Sequence, residues 1–161
     1  MTRSLQMYEI ARHGQVTPMR PSTREIVQGY FAGVSLFAYC SKRELRLVAR
    51  LARVEDRTVG TKLTVEGKPG SEMYVVLQGK ARVHRNGRRV ADIGAGAVVG
   101  ELSLLTKSNR NATVVATTPI EIAVLGRKEL DTLIEGSPGF SRKLIEGLAK
   151  RVQELDARSP S

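Results

Sequence analysis

The chain has 161 residues, 41% of them hydrophobic and 26% charged, which is ordinary for one globular domain with a buried core. Twenty-six Lys and Arg against 16 Asp and Glu leave a net charge of +10, more than one small anionic ligand accounts for, and this raises the question of a polyanionic partner. A single cysteine, Cys40, excludes an internal disulfide, and the most apolar stretch, Tyr30 to Tyr39, is too short to span a bilayer, so a cytoplasmic setting without a membrane or secretory segment is expected.

Residues 1–21 are polar and basic, with Pro18 and Pro21 near their end. They read as a flexible arm, either without a role or resting on the domain or on a partner. The domain proper is expected over 22–161, with helices over 23–52, a β-roll over 54–126 and C-terminal helices over 127–156. Ser22 followed by Glu25 fits a capping box, and Ile26, Val27, Tyr30 and Phe31 put an apolar stripe on the first helix, which Gly33 ends. Ser41 with Glu44 repeats the signal, and Leu45, Val48, Leu51 and Ala52 line one face of a helix from about 42 to 52.

From Val54 the pattern changes to short strands punctuated by glycine. Thr58 and Val59 precede Gly60, Leu63 and Val65 precede the turn Gly67-Lys68-Pro69-Gly70, and Met73 to Leu77 reads as a buried strand. Asn86-Gly87 is a tight-hairpin signal. Ile120, Ile122 and Val124 alternate with Glu121 and Ala123, which predicts a strand with one polar face. Short strands at this spacing predict an α+β protein built on an antiparallel β jelly-roll, with N-terminal helices and a long C-terminal helix. On that last helix Phe140, Leu144, Leu148 and Val152 recur every four residues to near Leu155, an apolar stripe that must rest on something.

The chemistry is concentrated between Gly94 and Ala116, GAGAVVGELSLLTKSNRNATVVA. Gly100 lets a ligand approach the backbone. Leu102 to Leu105 can form one helical turn whose first amides point outward. Arg110, nine residues past Glu101, offers a planar fork suited to two phosphate oxygens. Glu101, acceptor-only when ionised, would repel a phosphate and accept from hydroxyls, so the pair asks for an anion with a hydroxyl beside it. The plainer alternative is a structural Glu101–Arg110 ion pair.

Gly100-Glu101-Leu102-Ser103-Leu104-Leu105 with Arg110, Ala112 and Thr113 resembles the phosphate-binding cassette, 100–113, of the cyclic nucleotide-binding domain family, and Gly60, Leu63, Gly67, Gly70, Tyr74, Gly79 and Val83 are spaced as in that family. The resemblance covers roughly residues 35 to 156. It implies a regulatory binder with no cofactor, whose ligand is cAMP or, less favoured, cGMP. Gly100, Glu101, Leu102, Ser103, Arg110, Asn111 and Ala112 would surround the ligand. Glu101 would accept the ribose 2′-hydroxyl, Arg110 would clamp the cyclic phosphate, and the amides around Leu102 and Ser103 would complete the cradle. Arg151 on the last helix would reach the base, against the plainer reading of a solvated arginine.

The chain departs from the family at Asn109, where Pro is usual, at Val99, where Phe is frequent, and at Asn111, where Ala or Ser is usual in cAMP sensors and Thr accompanies cGMP preference. Base preference therefore stays open. The resemblance also implies a last helix that lies across the barrel mouth and often pairs with its twin in a homodimer. The downstream protein partner is unknown, and with no room for a helix-turn-helix before Ser161, sequence-specific DNA reading is not expected.

The alternative of a different class is an interaction module that keeps the fold without using nucleotide and meets an acidic protein or nucleic acid through its charge. Catalysis is not expected. His13 and His84 have no carboxylate at ligand spacing, and Cys40 and Ser103 have no identifiable base.

Overall fold

The computed structural model describes residues 21–158. Its residues fall into two compact units, a β-roll of residues 52–127 and a helical unit of residues 21–51 and 128–158. The basic arm lies outside the described residues.

Eight strands form the β-roll: β1 (Arg53–Arg57), β2 (Lys62–Thr64), β3 (Glu72–Gln78), β4 (Ala81–Arg85), β5 (Arg88–Ile93), β6 (Val98–Val99), β7 (Thr113–Ala116) and β8 (Ile120–Gly126). They make two antiparallel four-stranded sheets, ordered β1-β8-β3-β6 and β2-β7-β4-β5. The pairing is nested. β1 pairs with β8, β2 with β7, β3 with β6 and β4 with β5, as if the strand region were folded in half about one turn and then rolled.

That turn is Asn86-Gly87, whose φ angles of 54° and 74° are the left-handed pair a two-residue hairpin loop requires. Rolling adds the β3–β8 and β4–β7 contacts that close the jelly roll. The core is the space between the sheets. Tyr74, Val76, Val99, Ile120, Ile122 and Val124 from one sheet meet Leu63, Ala81, Val114 and Ala116 from the other.

The helical unit contains α1 (Pro21–Ala32), a 3-10 turn (Ser35–Phe37), α2 (Lys42–Leu51), α3 (Arg127–Gly136, whose first residue belongs to the β-roll) and α4 (Phe140–Arg158). The Ser41–Glu44 capping box forms as predicted: the Ser41 amide donates to Glu44 Oε1 at 2.8 Å, and the Glu44 amide donates to Ser41 Oγ at 3.2 Å. α1 begins at Pro21, one residue before the predicted cap position at Ser22. Proline is pre-set for a first helical position. Of the predicted α1 stripe only Val27 and Phe31 are fully buried, with Phe31 set edge-on to Phe37 at 5.8 Å. Gly147 brings α4 against the 3-10 turn so closely that a Cβ would lie 2.5 Å from the Leu36 carbonyl oxygen.

Two expectations about polarity fail. The α4 stripe is buried only through Phe140 and Leu144, while Val152 is 64% exposed. Strand β8 has no polar face: all seven of its residues are buried, Glu121 included, because β8 lies inside its sheet between β1 and β3. Glu121 sits in register with the buried Asp56 of β1. Burial first, and repulsion from Asp56 second, push the Glu121 carboxyl up to about 7.

A raised carboxyl pKa means that the folded state binds the proton more tightly than the unfolded chain does. This stabilisation is complete below the ordinary carboxylate pKa and is lost as pH rises from about 4.5 through about 7. Replacing Glu121 by Gln is expected to flatten that part of the pH–stability curve, by at most about 3 kcal/mol at neutral pH. Thermal unfolding of both proteins from pH 4.5 to 8 checks it.

Candidate functional site

Nested pairing decides where the site forms. The connection from β2 to β3 and the connection from β6 to β7 join the same pairs of strands, so they run side by side. An isolated antiparallel bridge, Pro69 to Asn109, ties them. The Arg110 amide donates to the Lys68 carbonyl at 2.8 Å, and the Gly67 amide donates to the Arg110 carbonyl at 2.8 Å. Gly67, at φ 82°, supplies the left-handed turn that permits this.

Gly100 is also left-handed, at φ 77°, and starts a 3-10 turn over Glu101–Leu104. Within that turn the Ser103 amide donates to the Gly100 carbonyl at 3.0 Å. The Ser103 amide is therefore committed inside the chain, and the expectation that it would serve a ligand is corrected: a 3-10 turn consumes the amide that an α-turn would leave open.

The Arg110 side chain fills a slot walled by two glycines. A Cβ on Gly70 would lie 2.0 Å from Arg110 Nε, and one on Gly100 would lie 2.1 Å from Nη1. In the slot Nη1 donates to Ser103 Oγ and Nη2 to the Glu72 carbonyl oxygen, both at 2.8 Å. The guanidinium carbon stands 5.7 Å from the centre of the Tyr74 ring, a cation–π contact. Arg110 is 9% exposed. Two of its five N–H groups are committed to oxygens of the protein, which holds the fork in place without exhausting it.

Beside the slot is a hollow of about 290 Å³ whose lining includes Thr64, Lys68, Ser71, Glu72, Tyr74 and Arg110. Its electrostatics favour an anion. The Glu72 carboxylate accepts from Arg53 and from the Tyr74 hydroxyl, so its charge is already matched. Burial first, and the Glu72 charge second, raise the Tyr74 phenol, which therefore stays protonated.

Of the predicted site residues, the β-roll brings together Gly100, Ser103 and Arg110. Glu101 is buried at the head of the 3-10 turn and is not among the residues lining the hollow. Leu102 is 47% exposed. Asn111 is exposed, and its carbonyl accepts from Arg85 Nε at 3.1 Å. Ala112 is buried, with its carbonyl accepting from Thr64 Oγ1 at 3.0 Å. Arg151 belongs to the helical unit, on α4, half-buried.

Sequence reasoning assigned no role at the site to Lys68, Gly70, Ser71, Glu72 or Tyr74. Gly70 and Tyr74 stood in the family spacing, but their closeness to Arg110 is a tertiary fact. Among the described residues no group of three or more His, Cys, Asp and Glu is placed to hold a metal ion. Burial first, then the charge of Glu44, pushes the Cys40 thiol up to about 11, the opposite of what a nucleophile needs. No helix among the described residues is long and apolar enough to cross a membrane.

A jelly roll that pins an arginine in a two-glycine slot over an anion-friendly hollow is the framework of a small-ligand binding domain. Residues 58–137 match the family model of the cyclic nucleotide-binding domain, and the chain belongs to that family. The chain is 33% identical over 102 residues to a cyclic AMP receptor protein of Thermus thermophilus, an alignment covering 60% of this chain and 47% of that one.

Among solved structures it is similar to the N-terminal domain of a transcriptional regulator from Streptomyces coelicolor, at 32% identity and a TM-score of 0.67, covering 79% of this chain and 92% of that one. It is also similar to a cyclic nucleotide-binding domain from Methylobacillus flagellatus, at 25% identity and a TM-score of 0.71, covering 91% and 90%. The chain spans about half or less of the curated relatives named for cyclic AMP that it matches first.

The slot makes a prediction of its own. Gly70→Ala is expected to cost about 1–3 kcal/mol by forcing Arg110 aside, and the same substitution in an Arg110→Ala background is expected to cost under about 0.5 kcal/mol. A double-mutant cycle of denaturant unfolding measures the difference.

Proposed function

We propose that this chain is a cyclic-nucleotide receptor domain that binds cAMP in preference to cGMP and signals through movement of its C-terminal segment, residues 127–156. The observation that carries the reading is Arg110: a buried guanidinium, prepositioned by Ser103 and the Glu72 carbonyl, at the wall of a hollow that suits an anion. A cyclic phosphate is the singly charged, two-oxygen group that this fork matches. The matched relative's name, a cyclic AMP receptor, supports the ligand class.

In this reading Glu101 serves the ribose hydroxyl, while Asn111 and Arg151 bear on the base. Closure of the 100–110 loop on the phosphate supplies the differential affinity that any response of the C-terminal helices requires. The downstream protein is a further proposal, to be identified once the ligand is known.

Calorimetric titration of cAMP and cGMP tests the reading. Wild-type protein is expected to bind, and Arg110→Ala to bind at least about tenfold more weakly, since a charge-assisted contact contributes roughly 1.5–3 kcal/mol. Equal affinity in the two proteins rejects the assignment. Heat from neither nucleotide favours the second reading, an interaction module for acidic partners. That reading has its own observation: β5 is exposed along Arg88–Ala91 on the outer edge of its sheet.

The exposed half of α4 supports a homodimer. Ile145 and Val152 are 61% and 64% exposed and stand seven residues apart with half-buried Leu148 between them, the spacing of a helix–helix seam. Ile145→Asp with Val152→Asp is expected to shift a dimer to monomer in sedimentation equilibrium; a wild-type monomer at every concentration overturns the seam.

A further inference from the structure

Arg127 closes the β-roll and opens α3, and its side chain and backbone amide reach into the two connections that form the slot. Its Nη2 donates to the Ser103 carbonyl at 2.7 Å, to the Thr106 carbonyl, and more weakly to the Gly70 carbonyl at 3.4 Å. Its backbone amide donates to the Ser71 carbonyl at 2.9 Å. The Ser103 and Thr106 carbonyls lie at the trailing end of the 3-10 turn, where acceptors run out of partners within the turn and a permanent cation satisfies them.

Ser103 is the node shared with the ligand arginine. Its hydroxyl accepts from Arg110 and its carbonyl accepts from Arg127, so the two guanidiniums grip one residue through its two oxygens. Both arginines also hold the strip from Gly70 to Glu72, Arg110 through the Glu72 carbonyl and Arg127 through Gly70 and Ser71. Displacing Ser103 toward a ligand therefore loads Arg127, which is bonded covalently to Lys128 of α3.

The Arg127 Nε–H is buried with no hydrogen-bond partner. The position favours three carbonyl contacts at the expense of that donor.

We propose that Arg127 is a positioning residue that sets the cassette and the start of α3 together, so that occupation of the Arg110 slot is felt at the first turn of α3. The proposal rests on the receptor reading for its ligand, but the clamp itself exists without one.

The test uses the full chain with Arg127→Gln, which keeps a donor but loses the charge and the fork, and Arg127→Lys, which keeps the charge. Amide hydrogen exchange is followed over 102–107, over 128–132 and in the core strand β8, with and without cAMP or cGMP, alongside calorimetric titration. In nucleotide-free Arg127→Gln, exchange over 102–107 is expected to quicken about tenfold or more while β8 is unchanged, with Arg127→Lys intermediate. In wild type, nucleotide is expected to alter exchange over 128–132; in Arg127→Gln that response is lost although saturable binding persists.

Unchanged exchange over 102–107, or an intact response at 128–132 in both variants, overturns the proposal. So does quickened exchange of equal size in β8, which would make Arg127 a stabilising residue only. If wild type binds neither nucleotide, the receptor reading and the ligand-linked half of this proposal fall, while the nucleotide-free comparison over 102–107 still decides the clamp.

Discussion

The guanidinium of Arg110 stands where two side chains are missing, between Gly70 and Gly100, and the rest of the β-roll is arranged so that those two positions meet. A buried arginine is tolerable only if its donors find oxygens, because an ionised group cannot be left unmatched away from water. Ser103 and the Glu72 carbonyl provide two of those oxygens, and the Tyr74 ring provides a face for the charge. Under the receptor proposal, what remains of the fork is what a ligand would use. The same interaction thus fixes the guanidinium in place, and under that proposal this would lower the cost of ordering the site when an anion binds.

The nested order of the strands makes this meeting possible. Once the chain is folded in half at Asn86-Gly87, β3 with β6 and β2 with β7 follow as successive pairs, and the two connections between those pairs lie together. Gly70 and Arg110, forty residues apart in sequence, become neighbours as a consequence of topology. Closing such non-local contacts is costly in chain entropy, and the interleaved Val, Ile and Leu of both sheets offset it.

Charge is distributed with the same economy. Carboxylates near the hollow are matched, Glu72 by Arg53, and Glu55 on β1 by Arg53 and Arg57, so the cations of the hollow's lining, Arg110 and Lys68, are not offset by them. The excess of +10 is concentrated elsewhere as well: the β4–β5 hairpin with the Lys80 before it holds Lys80, Arg82, Arg85, Arg88 and Arg89 against Asp92 alone. Asp92 pairs with Arg82 and Arg89 on an exposed surface, where such pairs contribute little to stability. Positive charge along the outer strand of a sheet also discourages edge-to-edge pairing of copies.

Features that depend on a few adjacent residues were legible in the sequence. The Ser41–Glu44 cap, the Asn86-Gly87 hairpin and the short strands that make a jelly roll all follow from backbone preferences that act within one turn. So did the candidate cassette, because its glycine, carboxylate and arginine lie within eleven residues of one another.

Tertiary structure decided what touches what. The sequence read Glu121 as the polar side of a strand, but β8 lies between two neighbours and has no open side. It read an outward amide at Ser103, but the turn is 3-10 and uses that amide. It gave no notice that Gly70 walls the slot or that Arg127 grips Ser103, since neither residue has a local pattern that says so. Local preference acts through bonds within a few residues, whereas burial and hydrogen-bond partnership are set by segments that only the closed roll brings together.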